Sequence, residues 1–405
     1  MINQLKLKGS IRKFKLHGID IIGNPEKKHI IGLNSDGNII VDAIINGEVL
    51  ENYQGLEELI QKNMNLINTM AANGYFDNNL KEDIKLNSAY FHVTNRCNLN
   101  CIGCYSLSED RDNAKDLPHK TIVAMLRKLK NAGVESLIIS GGEPLIRNDI
   151  ESICQSARQI GISELKLISN GTMPFARYEK IVPYIDEIAI SVDGYNEYTH
   201  FIRDKGIMPK VLDTLKRCRD LIPTHFIVTL HKKNIDKTIE YSKLSRNLGI
   251  PFNYSILTVD SNNKDFIDFI LKKEDFEELI EGIENVNIQE DSCSLGCKLS
   301  CGAGKDMLSI ASDGTVYPCH MLHREELRLG NLIYEDIEEL LISKSNPLFN
   351  TTVENIDGCK ECDYKYLCGG GCRARAYLET RSFQSVDSTC ILSKRAIDLF
   401  FNTIT

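Results

Sequence analysis

Two hydrophobic rhythms divide the chain. Between Tyr90 and Leu257, short apolar runs alternate with helical stretches. Tyr90–Thr94, Ser136–Ser140, Leu165–Ser169, Ile185–Val192, His225–Leu230 and Phe252–Leu257 read as strands, and Ile122–Leu129 reads as a helix among them. Repeated strand–helix units predict an α/β fold: a parallel sheet covered by helices, with functional residues at the C-terminal strand ends. Residues 1–85 read as a separate small domain. There His29–Leu33 is a strand and Asn34-Ser35-Asp36-Gly37 a turn. Leu56, Leu59, Ile60, Leu66, Ile67 and Met70 recur at helical spacing, and the segment closes at Gly74-Tyr75-Phe76. The expected boundaries are 1–85, 86–285 and 286–405.

Composition narrows the class. The chain is 42% hydrophobic and 26% charged, ordinary for a globular protein. A formal net charge of −8 argues against a broad nucleic-acid surface. No apolar run is long enough for a membrane span, and Met1–Lys15 lacks the apolar core of a secretory signal, so a cytoplasmic protein is expected. Cysteine is the outlier: of fourteen, twelve fall within 97–104 and 293–390. In a reducing compartment such groups read as metal sites. Cys154 and Cys218 stand alone in helical stretches, as small buried hydrophobes would.

Cys97, Cys101 and Cys104 lie in the run C-N-L-N-C-I-G-C-Y. Three clustered thiolates suit an iron–sulfur cluster with one iron left open for chemistry. A zinc ribbon would want a second C-x-x-C pair, and none follows within about a hundred residues. The run resembles the cluster-binding loop of radical SAM enzymes. That resemblance implies a partial (β/α)6 barrel and a 4Fe-4S cluster whose open iron binds S-adenosylmethionine (SAM). The cluster would cleave SAM reductively to a 5′-deoxyadenosyl radical. One position departs from the family. An aromatic residue usually precedes the third cysteine, near the adenine; here Gly103 stands there, with Tyr105 after the cysteine.

Further motifs fall at strand ends. Gly141-Gly142-Glu143-Pro144 follows the second strand, where glycines let the backbone approach a ligand and a carboxylate can hold an ammonium group. The family's matching motif holds the SAM amino group. Asn170, in Ser169-Asn170-Gly171-Thr172, and Ser191 and Asp193, in Ser191-Val192-Asp193-Gly194, resemble residues lining the SAM pocket. Ser191 and Asp193 suit ribose hydroxyls, although Asn-Gly and Asp-Gly are also ordinary turns. Arg203, in His200-Phe201-Ile202-Arg203, resembles the family's H-x-x-R segment and suits the SAM carboxylate.

The tail carries a second signature. Cys301, Gly314 and Cys319 are followed by Cys359, Cys362, Cys368 and Cys372, spaced C-x2-C-x5-C-x3-C, and then Cys390. This resembles the seven-cysteine SPASM domain, which implies two auxiliary 4Fe-4S clusters and three clusters in all. A double zinc site is the competing reading. Carried over from the family, Cys359, Cys362, Cys368 and Cys390 hold the distal cluster. Cys301, Cys319 and Cys372 hold the proximal one, with Cys297 or Cys293 as fourth ligand, or a site open to a substrate thiolate. His320 follows Cys319, where some relatives carry an acidic proton acceptor, and an imidazole could serve.

Taken together, the chain resembles a radical SAM/SPASM maturase of ribosomally made peptides. Its N-terminal domain resembles a winged-helix peptide-recognition element. The resemblance implies a precursor peptide with a leader segment, a flavodoxin or ferredoxin as electron donor, and an oxidative thioether or carbon–carbon crosslink. An anaerobic sulfatase-maturing enzyme and a non-enzymatic iron–sulfur carrier or redox sensor are the alternatives.

Overall fold

The computed structural model describes residues 5–46, 56–77, 86–106, 115–260, 266–284 and 295–404. The N-terminal part is a three-stranded antiparallel meander, β1 (Arg12–Leu16), β2 (Ile19–Asn24) and β3 (His29–Leu33). It is followed by α1 (Ser35–Asn46), α2 (Leu56–Lys62) and α3 (Met64–Ala72). The expected turn at Asn34–Gly37 is instead the start of α1: Asn34 Oδ1 accepts the Gly37 N–H at 2.8 Å, a side-chain cap on an otherwise unpaired donor. Doubled isoleucines make this sheet apolar on both faces. Ile22 and Ile31 pack towards Val41, Met70 and Tyr75, whereas Ile21 and Ile30 pack away from the helices against Leu367, Ile397 and Phe401.

The central sheet begins with six parallel strands: β4 (Ser88–Thr94), β5 (Ser136–Gly141), β6 (Glu164–Ser169), β7 (Glu187–Val192), β8 (Thr224–Leu230) and β9 (Phe252–Ile256). Between them run α4 (His119–Asn131), α5 (Ile150–Ile160), α6 (Phe175–Ile181), α7 (Met208–Arg219) and α8 (Thr238–Leu248), and α9 (Lys273–Glu284) follows. The strands stand in chain order, as successive right-handed crossovers require. Along β4, Ala89, Phe91 and Val93 join the main core beneath the helices, with Ile188, Ile190 and Val192 of β7. Tyr90 and His92, and Ser191 in β7, therefore belong to the opposite, inward face. Cys154 and Cys218 are buried in that same core, as expected of isolated cysteines.

The sheet does not stop at the expected domain boundary. β10 (Met307–Ile310) pairs in parallel with β4, and β11 (Thr315–Tyr317) and β12 (Gly330–Asn331) add antiparallel strands beyond it. One nine-stranded sheet thus joins the barrel to the cysteine-rich tail. The tail is completed by α10 (Ile337–Ile342), α11 (Lys365–Cys368), α12 (Arg373–Thr380) and α13 (Cys390–Ile404). Among the described residues, no helix is long and apolar enough to cross a membrane.

Candidate active site at the mouth of the barrel

The cysteine loop leaves β4 at Thr94 and is pinned on three sides. Gly142 N–H donates to Thr94 O at 2.8 Å and Glu143 N–H to Arg96 O at 2.9 Å. Asn98 Nδ2 donates to Thr172 Oγ1 at 2.8 Å, and Ile102 N–H to Ile202 O at 2.7 Å. Arg96 pairs with Asp116 at the base of the loop. Gly141 and Gly142 serve this docking. A Cβ on Gly141 would lie 2.3 Å from Thr94 O, and one on Gly142 2.2 Å from Arg96 O. The close approach expected for the Gly-Gly pair is thus to the cysteine loop's own backbone. Pro144 opens the short turn that follows, inside the buried wall.

Glu143 is fully buried. Its carboxylate accepts from Leu145 N–H (3.1 Å), Asn170 N–H (2.8 Å) and Ser169 Oγ (3.1 and 3.2 Å). Burial still dominates and pushes its pKa up to about 7: Arg203 lowers it only from farther off, and no cation among the described residues neutralises it at contact distance. An arriving ammonium group would. Asn170 is a strut: its Nδ2 donates to Asn98 Oδ1 at 2.9 Å and lies 3.8 Å from Cys97 Sγ. Asp193 accepts the N–H groups of Phe201, Ile202 and Arg203 at 2.5, 3.1 and 3.3 Å. Three backbone donors occupy the carboxylate expected to meet ribose, so it shapes the loop that carries Arg203. Arg203 in turn points Nη1 at Cys101 Sγ, 3.8 Å away. Ser191 is half-buried at the end of β7.

Gly103 has a physical counterpart to its missing ring. It sits at φ +69°, and a Cβ there would lie 3.0 Å from Leu257 Cδ1 and 3.3 Å from Val259 Cγ1. Side chains following β9 fill the place an aromatic residue would take. Tyr105 points elsewhere: its hydroxyl shares a 2.9 Å hydrogen bond with Ser140 Oγ, and its ring meets His320 edge-on at 5.4 Å.

That ring contact joins two cysteine segments. Tyr105 follows Cys104, and His320 follows Cys319. The sheet register makes it possible: Tyr90 of β4 stands beside Ser309 of β10, and Ser309 beside Tyr317 of β11. The chain beyond Tyr317 thereby returns over Tyr90, whose ring stacks on His320 at 4.0 Å. His92 and His323 stand next to this pair with ring centroids 4.5 Å apart. Burial lowers the His320 pKa to about 4, so the imidazole is neutral. Tyr90, His92, Ser140 and His323 were not singled out from sequence. Polar and aromatic residues at alternate positions of the first strand, Tyr90-x-His92-x-Thr94, are the signal that marks them.

In the tail, Cys359, Cys362, Cys368 and Cys390 line one cavity with Gly370 and Lys394. Burial pushes the Cys359 thiol up to about 11, and the other three thiols add to it. Cys301, Cys319 and Cys372 form a second group. Burial pushes Cys319 up to about 12, with Cys372 and Cys301 acting in the same direction. Cys297 sits at the N-terminal sheet. It is fully buried against Gly23 of β2, where a Cβ would lie 2.6 Å from its sulfur, and its thiol senses Arg12. Gly23 and Gly296 allow that seat, since a Cβ on Gly296 would lie 2.3 Å from Lys28 O. Cys293, the other candidate for the fourth ligand, lies outside the described residues, and the choice between the two stays open.

Residues 91–245 match the Radical SAM superfamily and residues 301–363 the SPASM iron-sulfur cluster-binding domain. The chain thus carries a Radical SAM superfamily domain followed by a C-terminal SPASM domain. It is 25% identical over 339 residues to the AdoMet-dependent heme synthase of Methanosarcina barkeri, covering 74% of this chain and 95% of the synthase. Among solved structures it is similar to native anSMEcpe with bound AdoMet and Cp18Cys peptide, with TM-score 0.63, 17% identity, and 78% and 98% of the two chains covered. It is also similar to Streptococcus suis SuiB bound to precursor peptide SuiA, with TM-score 0.60, 18% identity, and 95% and 98% covered. At these identities the structural likeness is one of fold.

The residues fit the cofactors of that fold. Cys97, Cys101 and Cys104 are partly buried cysteines outside any disulfide. Burial raises Cys101 to about 11 against the pull of Arg203, and Cys104 and Cys97 raise it further, so the three thiols are within electrostatic reach of one another. No three His, Cys, Asp or Glu side chains among the described residues close round a single metal ion. A multi-iron cluster holds its thiolates farther apart than one zinc ion does. The buried carboxylate of Glu143 and the guanidinium of Arg203 offer opposite charges for an amino acid's two ends.

Proposed function

We propose that this enzyme oxidatively modifies a ribosomally made peptide, forming a thioether or carbon–carbon crosslink. One observation carries the reading: the contact between Tyr105 and His320 sets the Cys104 and Cys319 segments against one another across the barrel's inward face. A substrate held there would stand between the site that starts the radical and the site that can take up its electron. When bound, SAM and the three clusters supply a 5′-deoxyadenosyl radical and an electron acceptor. The protein's own part is to hold them. Cys97, Cys101 and Cys104 present thiolates, Glu143 takes an ammonium group, Arg203 a carboxylate and Ser191 a ribose hydroxyl. Cys301, Cys319 and Cys372, and the four cysteines of the distal cavity, fix the auxiliary clusters. A small flavodoxin or ferredoxin delivers the electron.

The N-terminal domain acts as a winged-helix-like leader-recognition element. Its three-stranded sheet has β3 at one edge, with no further strand paired to it among the described residues. Such an edge offers N–H and C=O groups to an extended peptide. The likeness to SuiB reaches 95% of this chain, against 78% for anSMEcpe, which supports a role for more than the barrel and tail. Tethering the leader there raises the effective concentration of the core peptide at the barrel.

The test is the exact mass of a candidate peptide encoded beside this gene after anaerobic co-expression. Loss of two hydrogens, abolished by Cys97→Ala, is the expected result. An unchanged mass with intact SAM cleavage would instead favour a folded-protein substrate and the sulfatase-maturing reading. Absence of SAM cleavage would favour an electron carrier.

A further inference from the structure

The inward face of the barrel holds a buried polar atom that the protein leaves without a partner. His92, on β4, is 1% exposed, and its Nε2 has no hydrogen-bond partner among the described residues. Desolvating an unpaired group carries a cost that no protein contact repays. A phenylalanine would fill the same space at no such cost. A native protein that keeps an unsatisfied nitrogen in a packed wall calls for an explanation, and the simplest is a partner that arrives with a ligand.

The surroundings place this atom between the two cysteine groups. The His92 ring lies 4.5 Å from that of His323 and 5.8 Å from that of Tyr105. Tyr90, two residues earlier on the same face, stacks on His320. His323 is already satisfied, through a 2.8 Å hydrogen bond with Ser309 Oγ. Tyr105 and His320 each adjoin a cysteine of a different group, so His92 belongs to the wall between the two. Burial and the neighbouring imidazoles hold its pKa well below the usual histidine range, so the ring is neutral, and Nε2 donates or accepts according to tautomer.

Resting on the peptide-maturase reading, we propose that His92 Nε2 hydrogen-bonds the peptide residue held for hydrogen abstraction. The matching chemistry is a backbone amide or a hydroxyl, thiol or carboxamide side chain. His92 is thus a substrate-binding residue that sets which peptide position faces the radical.

The experiment compares wild type, His92→Phe and His92→Gln on the candidate peptide encoded beside this gene. It reads kcat and KM for the mass change, together with iron content, SAM affinity and melting temperature. His92→Phe should melt at or above the wild-type temperature with unchanged iron and SAM affinity. Its kcat/KM should fall about tenfold or more, the equivalent of one hydrogen bond. His92→Gln, which keeps a polar atom near the Nε2 position, should stay within about threefold of wild type. Wild-type turnover by His92→Phe would overturn the assignment. Equal loss in both variants with intact iron would make the role one of shape, and loss of iron or fold in both would make it structural. Either result would also overturn it. No mass change with wild type would remove the peptide reading and this inference together.

Discussion

Glu143 shows how one side chain can serve the fold and a ligand at different pH. Its folded pKa of about 7 stands above the ordinary 4.5, with burial as the leading cause. For a group raised in this way, the stabilising contribution is full below the unfolded pKa and is lost as pH climbs through the folded one. Between about pH 4.5 and 7 the ligand-free protein therefore loses roughly 3 kcal/mol through this residue. Glu143→Gln removes the titration. Its carboxamide N–H will also oppose one of the backbone donors, which shifts stability by a constant amount and leaves its pH slope flat. Urea midpoints across this range should thus fall with pH more steeply in wild type than in the variant; parallel slopes would refute the shift. The identity of Glu143 was legible from Gly141-Gly142-Glu143-Pro144, but its burial was not. Nor was the occupation of Asp193 by three backbone donors, because hydrogen bonds from residues 201–203 are a property of how a loop closes. Gly103 was legible as a departure, and only the fold shows Leu257 and Val259 filling its place.

At the scale of elements, the strand ends and the cysteine loop form one unit. The backbone of Thr94–Arg96 lies directly on Gly141 and Gly142, and the obstacle to any side chain there is main chain, which cannot rotate away. Gly142→Ala should displace the loop at a cost of about 1–3 kcal/mol or more. The sheet should survive, since β4 and β5 pair without interruption from Ser88 to His92, ahead of the irregularity before Thr94. The expected phenotype is local: wild-type circular dichroism, about one 4Fe-4S cluster fewer per chain after reconstitution, and no SAM cleavage. Full iron with normal cleavage would refute it. The six strands of the barrel were readable because each is a local apolar run with a helix after it. β10 was not, because Met307–Ile310 is four residues long and its partner Ser88–Phe91 lies some two hundred positions upstream. The Asn34–Gly37 segment was misread for a related reason. Asn and Gly favour turns, and equally a helix cap, and the helix that decides between them lies downstream.

On the scale of the whole molecule, the N-terminal sheet is a wedge against the tail. Phe14, Leu16, Ile19, Ile21 and Ile30 meet Leu367, Ile397 and Phe401 in one cluster that also includes Cys368. Around it stand Arg12 paired with Glu354 and His17 with Asp398, which also accepts from the Tyr364 hydroxyl at 2.8 Å. Those apolar partners lie on α11, which ends in Cys368, and on α13, which begins with Cys390. Two of the four cysteines lining the distal cavity are therefore braced by the domain assigned to leader recognition. Surface ion pairs of this kind contribute little on their own, so the apolar cluster is the part to break. Phe14→Asp places an unpaired carboxylate against Tyr366, whose ring lies 5.3 Å from that of Phe14. Phe14 is half-buried, so the carboxylate loses part of its solvation there and the sheet's contact with the tail should loosen. The barrel, joined to the tail through β4 and β10, does not depend on this contact. We expect Phe14→Asp to keep SAM binding and cleavage, to lose amide protection in α11 and α13, and to hold about one cluster fewer, from the distal site. Full iron with loosened helices would separate leader docking from cluster integrity. Loss of SAM cleavage would mean that the wedge supports the barrel as well.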